Sequence, residues 1–281
     1  MSNTAKFIDI KEAIKSKNPT LLKVLPKFII NYLRKTIHED YLNDILDRHK
    51  EINGLDFVDS MVHNEFDIKA DVHGFDEFVE KDKRYIFVAN HPWGGMEAAT
   101  LLDIVGKKFS EPRFVVNDIL MSIKSYHPLF IPVNKHGAQG RKNARLMEEN
   151  FESDKPILIF PAGLVSRKIK GKVVDLEWKK NFVTKAVQHK RDVIPVFIDG
   201  HNSNFFYRLS AFRKAIGIKA NIEMFYLVDE MVKNTGSTLP FYFGKPIPYQ
   251  TFDKSKKPQQ WATEVKNHTY LLKNDYTRKF V

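Results

Sequence analysis

The sequence has no cysteine, and this absence removes one class of nucleophile and one class of metal site. Among its 281 residues there is no thiol to act as a thiolate nucleophile, and none to complete a cysteine-containing zinc site. A chain without cysteine also fits a reducing compartment, so we expect a cytoplasmic protein. The ten histidines are scattered, without a His-x-x-x-His pair, and the sequence therefore predicts no metal site.

Long apolar runs are also missing. Residues 1–20 are polar and charged and lack the apolar core of a signal peptide, and no window approaches the ~20 apolar residues that a membrane-spanning helix needs. We therefore expect a protein that is neither secreted nor membrane-spanning.

Two common catalytic motifs are missing as well. The chain has neither the Gly-x-Ser-x-Gly turn of a serine hydrolase nor the Gly-x-x-x-x-Gly-Lys-Ser/Thr loop that binds nucleotide phosphates. We therefore expect neither a serine hydrolase nor a P-loop nucleotide-binding protein.

The most informative segment delivers a histidine to the end of a buried strand. Tyr85–Ala89 is an apolar run that predicts a strand, Pro92–Gly95 predicts a turn, and Met96–Val105 predicts a helix. His91 then lies at a strand end, where α/β proteins place their chemistry, and Glu97 could fix its tautomer and raise its basicity. This arrangement predicts a general base. The same residues also fit a hydrogen-bonded turn followed by an acid that favours the start of a helix.

A second block repeats this design. Ile157–Phe160 predicts a strand, and Pro161 with Gly163 predicts a tight turn after it. Three residues that follow could bind an anion or cap the turn: Ser166, Arg167 and Lys168. The turn would expose backbone N–H groups beside cations. No adjacent base is specified for Ser166, so a turn or capping role is favoured over a nucleophile.

Together the two blocks resemble the motifs of the glycerolipid acyltransferase superfamily, that of 1-acylglycerol-3-phosphate acyltransferase. The first motif of that family is Asn-His followed by an acid, which matches Asn90, His91 and Glu97, and the third is Phe-Pro-Glu-Gly-x-x-Ser. Leu129–Lys135 lies where the second motif falls, and Val193–Asp199 looks like the fourth, proline-containing strand. The resemblance covers roughly residues 80 to 247 and implies an enzyme that moves an acyl group.

The first motif departs from the common family pattern. One residue more than usual separates His91 from its acid, the acid is a glutamate, and Met96 occupies the usual aspartate position. The form His-Pro-x-Gly-Gly resembles a bacterial, haemolysin-like branch that includes O-acyltransferases of ornithine and glycine lipids. The flexible pair Gly94 and Gly95 can absorb the extra residue, so Glu97 remains the predicted partner of the histidine.

The third motif has Ala162 where the family usually has a glutamate associated with the glycerol phosphate of the acceptor. This puts a lysophosphatidate acceptor in doubt, although the alanine also fits neutral drift. A lyso-aminolipid with a free carboxylate would explain the change and would still use Arg167 and Lys168 as anion partners, with Lys135 and Arg141 behind them. A role in surface solubility is the alternative for all four cations.

The resemblance implies direct attack by the acceptor. His91 would deprotonate the hydroxyl of a lysolipid, which would attack an acyl thioester carried by acyl carrier protein or coenzyme A, and no cofactor is expected. Asn90 would shape the turn with Gly94 and Gly95, and backbone N–H groups near these glycines or near Gly163 would stabilise the oxyanion. The alternatives are a 1-acylglycerol-3-phosphate acyltransferase and a noncatalytic basic protein that docks on anionic membranes.

Basic residues outnumber acidic ones and are concentrated in one part of the chain. The formal net charge is +11, and residues 167–191 include nine Lys and Arg against two acids. Such a patch attracts an anionic membrane surface, acyl carrier protein, coenzyme A or nucleic acid, or it is simply a solvated helix face. No aromatic-basic RNA signature or zinc finger accompanies the charge, so we expect no nucleic acid partner.

The predicted fold class is α/β, with a mixed, mostly parallel sheet flanked by helices. We expect residues 1–80 to form a helical N-terminal region and residues 81–281 to form an α/β domain, which the resemblance identifies as the acyltransferase domain. Leu21–Lys35 predicts an amphipathic helix from about Pro26 that contacts either the membrane surface or the core, and we favour a peripheral position on the inner face of the cell membrane. Further strands are predicted at Phe114–Val116, Phe130–Val133, Val193–Ile198, Ile222–Val228 and Leu239–Phe243, and helices near 140–151, 177–190, 206–216 and 261–274.

Overall fold

The computed structural model describes residues 7–17, 19–117, 121–133, 137–218 and 220–281. Nine strands lie in these residues: β1 Lys69–His73, β2 Tyr85–Ala89, β3 Arg113–Val116, β4 Phe130–Pro132, β5 Ile157–Ile159, β6 Arg167–Ile169, β7 Lys172–Val174, β8 Asp192–Ile198 and β9 Thr238–Phe243. Seven of them form one sheet in the order β1-β9-β8-β2-β5-β3-β4. Neighbours in this sheet run parallel except β8 and β9, so the sheet is mixed and mostly parallel, as predicted. β6 and β7 form a separate antiparallel hairpin.

Twelve α-helices accompany the strands in the described residues: α1 Ile10–Lys17, α2 Pro19–Val24, α3 Lys27–Thr36, α4 Glu39–Arg48, α5 Gly54–Asp59, α6 Phe75–Phe78, α7 Met96–Gly106, α8 Gly137–Glu152, α9 Asn181–His189, α10 Asn204–Ala215, α11 Leu227–Lys233 and α12 Pro258–Leu271. A π-helical turn spans Ser60–Glu65, and 3₁₀ turns span Lys124–Leu129, Ile222–Tyr226 and Tyr249–Thr251. None of the helices formed by these residues has the length and apolar character that crossing a membrane requires.

Alternation along the central strand divides the core into two layers. Tyr85, Phe87 and Ala89 of β2 point into one cluster with α4, α5 and α7, and Ile86 and Val88 point into another with α8, α9 and α12. All five side chains are fully buried, because β2 lies inside the sheet with helices on both of its faces. A strand covered in this way can present a functional side chain only beyond its end, which is where the first motif lies.

Two parts of the fold differ from the sequence prediction. The prediction of a strand at Ile222–Val228 is wrong, because these residues form a 3₁₀ turn and the start of α11. The carboxylate of Glu223 is fully buried between Arg167 and Arg213, and these ion pairs, not strand pairing, hold the segment. Residues 69–73, which we assigned to the helical N-terminal region, form β1 beside β9. This edge strand is mostly exposed, so it lacks the apolar run that marked the inner strands.

The amphipathic segment near the N-terminus forms α3, and its apolar side chains point in two directions. Ile30 is buried in a cluster with Ile10 of α1, and Leu33 packs against that cluster. Phe28 and Tyr32 are instead 72% and 55% exposed. The helix therefore contacts the core with one side and presents aromatic side chains to solvent with another.

Candidate active site

The turn between β2 and α7 brings His91 and Glu97 together. His91 Nδ1 lies 2.8 Å from Glu97 Oε1. Glu97 is in the first turn of α7, where the N-terminal end of a helix favours an acid. Its side chain is fully buried, whereas that of His91 remains partly exposed. The structure thus places in hydrogen-bond contact the two residues that we predicted as a base and its orienting acid.

The carboxylate of Glu97 also closes the turn. Its Oε1 accepts the backbone N–H groups of Trp93 at 2.8 Å and Gly94 at 2.6 Å, and its Oε2 accepts that of Gly95 at 2.7 Å. Burial by itself raises the pKa of Glu97, but the charge and hydrogen bond of His91 and the N–H groups of the two glycines outweigh burial and lower that pKa. An ionised Glu97 holds the proton of His91 on Nδ1 and leaves a lone pair on Nε2, the form that a general base needs.

These hydrogen bonds change the assignment of the oxyanion site. The N–H groups of Gly94 and Gly95 are directed at Glu97. The N–H of Gly163 donates to the carbonyl oxygen of Phe160 at 3.0 Å. The N–H groups of the three glycines themselves are therefore engaged within the protein, so the oxyanion site predicted near them needs donors from neighbouring residues.

Two neighbouring N–H groups are open instead. Leu164 and Val165 follow the glycine turn and line the same cavity as His91. Within the described chain their N–H groups donate to no acceptor, whereas the next one, that of Ser166, donates to the carbonyl oxygen of His91 at 2.7 Å. This last bond holds the segment against the backbone of the histidine, so the two open N–H groups are the candidate oxyanion donors.

The two motif blocks meet because β2 and β5 are parallel neighbours in the sheet. Phe160, directly after β5, stacks on the His91 ring with 4.2 Å between the ring centroids and 26° between the ring planes. The ring is thus fixed by a hydrogen bond at Nδ1 and by an aromatic face. Such double support leaves one edge of the imidazole free to react.

Asp175, which no sequence pattern singled out, joins the two blocks. Its buried carboxylate accepts hydrogen bonds from Ser166 Oγ at 2.5 Å, Trp178 Nε1 at 2.8 Å and the backbone N–H of His91 at 3.2 Å. Burial raises the pKa of Asp175, and these hydrogen bonds oppose the rise. In the sequence, Asp175 is one of only two acidic residues within the basic run 167–191. That isolated position is the one feature that could have drawn attention to it.

Arg167 is not placed to contact a substrate anion. It is buried, with its guanidinium 3.0 Å from Glu223 and 2.6 Å from the carbonyl oxygen of Val165. Burial lowers the pKa of Arg167, and the attraction of Glu223 opposes this effect. The prediction of an anion contact is therefore corrected, because this cation is already paired inside the protein.

The other predicted cations are dispersed. Lys168 is exposed on β6, where its Nζ donates to Asn204 Oδ1 at 3.1 Å. Arg141 is exposed on α8. Neither lines the cavity around His91, as the described residues define it. Lys135 lies outside the described residues.

Asn90 and the proline turn hold backbone in place. The side chain of Asn90 donates to the carbonyl oxygen of Ile198 at 2.8 Å and accepts its N–H at 2.7 Å, which ties the end of β2 to the end of β8. Pro161 and Gly163 line the cavity, and the carbonyl oxygen of Pro161 accepts the N–H of Lys179 at 3.1 Å. All three residues position the site, and Pro161 and Gly163 also form part of its wall.

A cavity of 1860 Å³ adjoins the His91 ring. Most of its wall is apolar, with side chains from α1, α4, α5, α7 and α11. Its described lysines are Lys179, Lys180 and Lys185, and the last of these pairs with Glu148. The first two lie just before α9 and beside the glycine turn. The shape suits fatty chains with an anionic group near these two lysines.

One cluster elsewhere has the donor atoms of a metal site. Asp59, His63 and Asp103 place ligand-type atoms within 4.8 Å of one another. Asp103 Oδ2 lies 3.1 Å from His63 Nε2 and 2.9 Å from Lys107 Nζ. These ion pairs account for the cluster, and we assign no metal to it.

Comparisons with known proteins agree on one kind of chemistry. The family model described as "Acyltransferase" matches residues 12–278. Proteins named lyso-glycine lipid O-acyltransferase from Bacteroides thetaiotaomicron and Phocaeicola vulgatus are each 45% identical over 268 residues, which cover 95% of this chain and 97% and 95% of theirs. The crystal structure of the 1-acyl-sn-glycerophosphate (LPA) acyltransferase PlsC from Thermotoga maritima has a similar fold, with a TM-score of 0.50 and 18% identity over 90% of this chain and 99% of that one.

Proposed function

This chain belongs to the acyltransferase family, as its four motifs indicated, and on that premise we propose that it transfers a fatty acyl group from a thioester carrier to the hydroxyl of a lyso-aminolipid. The observation that carries the proposal is the His91–Glu97 pair at the wall of a large apolar cavity. The two relatives named lyso-glycine lipid O-acyltransferase support this class of acceptor.

The reaction follows from the atoms that surround the histidine. His91 Nε2 takes the proton of the acceptor hydroxyl while the hydroxyl oxygen attacks the thioester carbonyl, and Glu97 stabilises the imidazolium that forms. The N–H groups of Leu164 and Val165 stabilise the oxyanion of the tetrahedral intermediate. Its collapse breaks the C–S bond, leaves the new ester and returns the proton from His91 to the departing thiolate. No step requires a metal or a redox cofactor.

The size of the cavity fits a reaction between two lipidic partners. Ligand pockets for a single drug-sized molecule are ~300–1,000 Å³. The volume of 1860 Å³ exceeds this range, and the wall includes Phe57 and Leu102 from one side of the sheet and Phe182 from the other. Donor and acceptor chains can therefore lie in the cavity together, with the thioester and hydroxyl meeting at the histidine.

Lys179 and Lys180 are the candidate anion contacts. They line the cavity near Ala162, which is buried in the core and has no polar group where the family usually has a glutamate. This supports an acceptor whose anionic group is a carboxylate. Lys179→Ala/Lys180→Ala should raise the KM for the acceptor about tenfold, whereas Lys254→Ala, an exposed lysine outside the wall, should not. An increase only in the KM for the donor would assign the lysines to the carrier.

The donor and the location complete the proposal. The carrier is acyl carrier protein or coenzyme A, both of which are anionic and match the net charge of +11. The protein would lie on the inner face of the cell membrane as a peripheral enzyme of membrane lipid biosynthesis, since its acceptor is a lipid.

Lipid analysis of a bacterial host tests the function. The host expresses the chain or His91→Ala, receives labelled fatty acid and is supplied with lyso-glycine lipid and lysophosphatidate. We expect a new diacylated aminolipid whose formation falls by about 10²–10⁴ in the variant. A His91-dependent rise in phosphatidate alone would favour a 1-acylglycerol-3-phosphate acyltransferase. No difference between the two strains would favour a noncatalytic basic protein that docks on membranes.

A further inference from the structure

Helix α10 has apolar side chains on its outer surface as well as on its inner one. Its inner face has the buried rings of Phe206 and Tyr207, and also Ser210 and Arg213, whose side chains bond the buried carboxylate of Glu223. Its outer stripe is apolar and exposed: Phe205 by 49%, Phe212 by 61% and Ile216, just past the end of the helix, by 53%. These positions are separated by seven and four residues and so share one narrow stripe. This stripe is additional to the two rings that α10 already buries in the core.

The apolar stripe continues onto α3. The ring of Phe205 packs edge-on against Tyr226 with 5.0 Å between centroids, and Tyr226 Oη lies 2.7 Å from Tyr32 Oη. Tyr32 and Phe28 are exposed one turn apart on α3. We call this surface the α3–α10 face, made of Phe28, Tyr32, Phe205, Phe212 and Ile216. Single exposed apolar residues are common, but a group of them on neighbouring helices marks a binding surface.

Exposed cations lie on the two helices of the α3–α10 face and on the neighbouring hairpin. They are exposed on α3, on α10 and on the β6–β7 hairpin: Lys27, Lys35, Arg208, Lys214, Lys168, Lys170 and Lys172. The hairpin lies beside α10, because Lys168 Nζ bonds Asn204 Oδ1 at the start of that helix. Apolar side chains bordered by lysine and arginine match the interface of an anionic bilayer, where acyl chains lie below negative headgroups.

The face also adjoins the cavity that holds the histidine. Met224, Phe225 and Leu227 line the cavity, and they lie on either side of Tyr226, the residue that joins α3 to α10. A lipid that leaves a bilayer at this face would enter the cavity along an apolar path. An unrelated protein partner would not need this continuity.

We propose that the α3–α10 face docks on an anionic bilayer, with Phe205, Phe212 and Ile216 inserted below the headgroups and the surrounding cations in contact with them. This rests on the proposed function, in which the acceptor is a membrane lipid, and it deepens that function by naming the surface through which the acceptor enters. The contact predicted at Leu21–Lys35 accounts for α3 alone, whereas α10 and the residue after it supply three further exposed side chains.

Sedimentation with vesicles tests the docking without any turnover. The full chain is mixed with phosphatidylcholine vesicles that contain or lack phosphatidylglycerol. Phe205→Ser/Phe212→Ser should weaken partitioning onto the anionic vesicles by about tenfold or more, because two apolar side chains no longer leave water. Arg208→Glu/Lys214→Glu should weaken binding to anionic vesicles and make the remaining binding less sensitive to salt.

Matched variants test whether the position of the exposed apolar residues, and not only their number, determines vesicle binding. Val187 and Leu271 are exposed by 43% and 40% and lie outside the face, so Val187→Ser/Leu271→Ser should bind vesicles like the wild type. Vesicle binding by Phe205→Ser/Phe212→Ser equal to that of the wild type overturns the proposal. A change from dimer to monomer in that variant, with vesicle binding intact, would assign the face to a second copy. Since neither donor nor acceptor is present, these results do not depend on the proposed reaction.

Discussion

Glu97 Oε1 lies 2.8 Å from His91 Nδ1, and the same carboxylate accepts the backbone N–H groups of three residues in the turn between them. One buried acid therefore selects the tautomer of the base and determines the shape of the loop that carries it. Both contributions depend on a negative charge, because an ionised carboxylate accepts at both oxygens. The ionisation of Glu97 is thus coupled to folding as well as to catalysis.

Stability in acid should depend on Glu97. Its pKa in the folded protein is lowered from the ordinary value of 4.5, so the ionised side chain contributes stability that is complete above that value and is lost as the pH falls through the folded-state pKa. Glu97→Gln cannot make this contribution. Between about pH 5 and pH 3 the free energy of unfolding, measured with urea, should fall more steeply in the wild type than in the variant. Parallel curves would contradict the assignment of a lowered pKa.

Asp175 should act as a positioning residue for the base. Asp175→Asn weakens the support of the His91 backbone and of Ser166 without removing the imidazole. We expect kcat to fall by about 10- to 100-fold with little change in KM. Initial rates at limiting and at saturating acceptor measure kcat and KM separately and test this expectation.

A carboxylate at the other end of the sheet provides the control. Asp192 accepts the N–H of Tyr249 at 3.0 Å and begins β8, so Asp192→Asn removes a carboxylate charge far from the strand ends that carry the site and keeps an oxygen that can accept the same hydrogen bond. Its kcat should match that of the wild type. An equal fall of kcat in both variants would show that Asp175 acts only through general stability.

The first motif could be predicted because its information is local. The apolar run Tyr85–Ala89 matches β2 residue for residue, and the helix predicted at Met96–Val105 matches α7 to within one residue. Because only a short glycine-rich turn separates the strand from the helix, the position of His91 at the end of the strand follows from the sequence. A base at a strand end and an acid in the next helical turn are thus readable from spacing alone.

The roles of Arg167 and Asp175 could not be predicted, because their partners are distant in the sequence and belong to no recognisable motif with them. Arg167 pairs with Glu223, 56 residues later, and no local pattern distinguishes a buried arginine from an exposed one. Asp175 accepts a hydrogen bond from the backbone N–H of His91, 84 residues earlier. Both contacts form only when the sheet is assembled. Hydrophobic periodicity and turn residues, which are local patterns, therefore do not predict them.

Gly94 should tolerate no side chain. Its φ is +103°, and a Cβ there would lie 2.9 Å from the side chains of Leu227 and Val165. Gly94→Ala should therefore destabilise the fold and reduce turnover, because the turn that carries three N–H groups to Glu97 must move. Gly171 is the matched control, since its φ is +81° and nothing lies within 4 Å of its Cβ position.

The control isolates the cost of the backbone conformation. Gly171→Ala should lower the free energy of unfolding by about 1–2 kcal/mol without affecting turnover. Urea denaturation and initial rates, measured on both variants, separate the two effects. A loss of activity in Gly94→Ala no greater than in Gly171→Ala would show that the turn adapts.

Arg167 and Lys168 are adjacent in the sequence, yet only the removal of Arg167 should lower the free energy of unfolding substantially. Arg167→Ala leaves the buried Glu223 with Arg213 as its remaining cationic partner, so we expect the free energy of unfolding to fall by about 3 kcal/mol. Lys168→Ala removes an exposed side chain and should change it by less than about 0.5 kcal/mol. Urea denaturation measures both changes. If Arg167→Ala instead unfolded like the wild type and raised only the KM for the acceptor, Arg167 would be a substrate contact and the buried ion pair would not be structural.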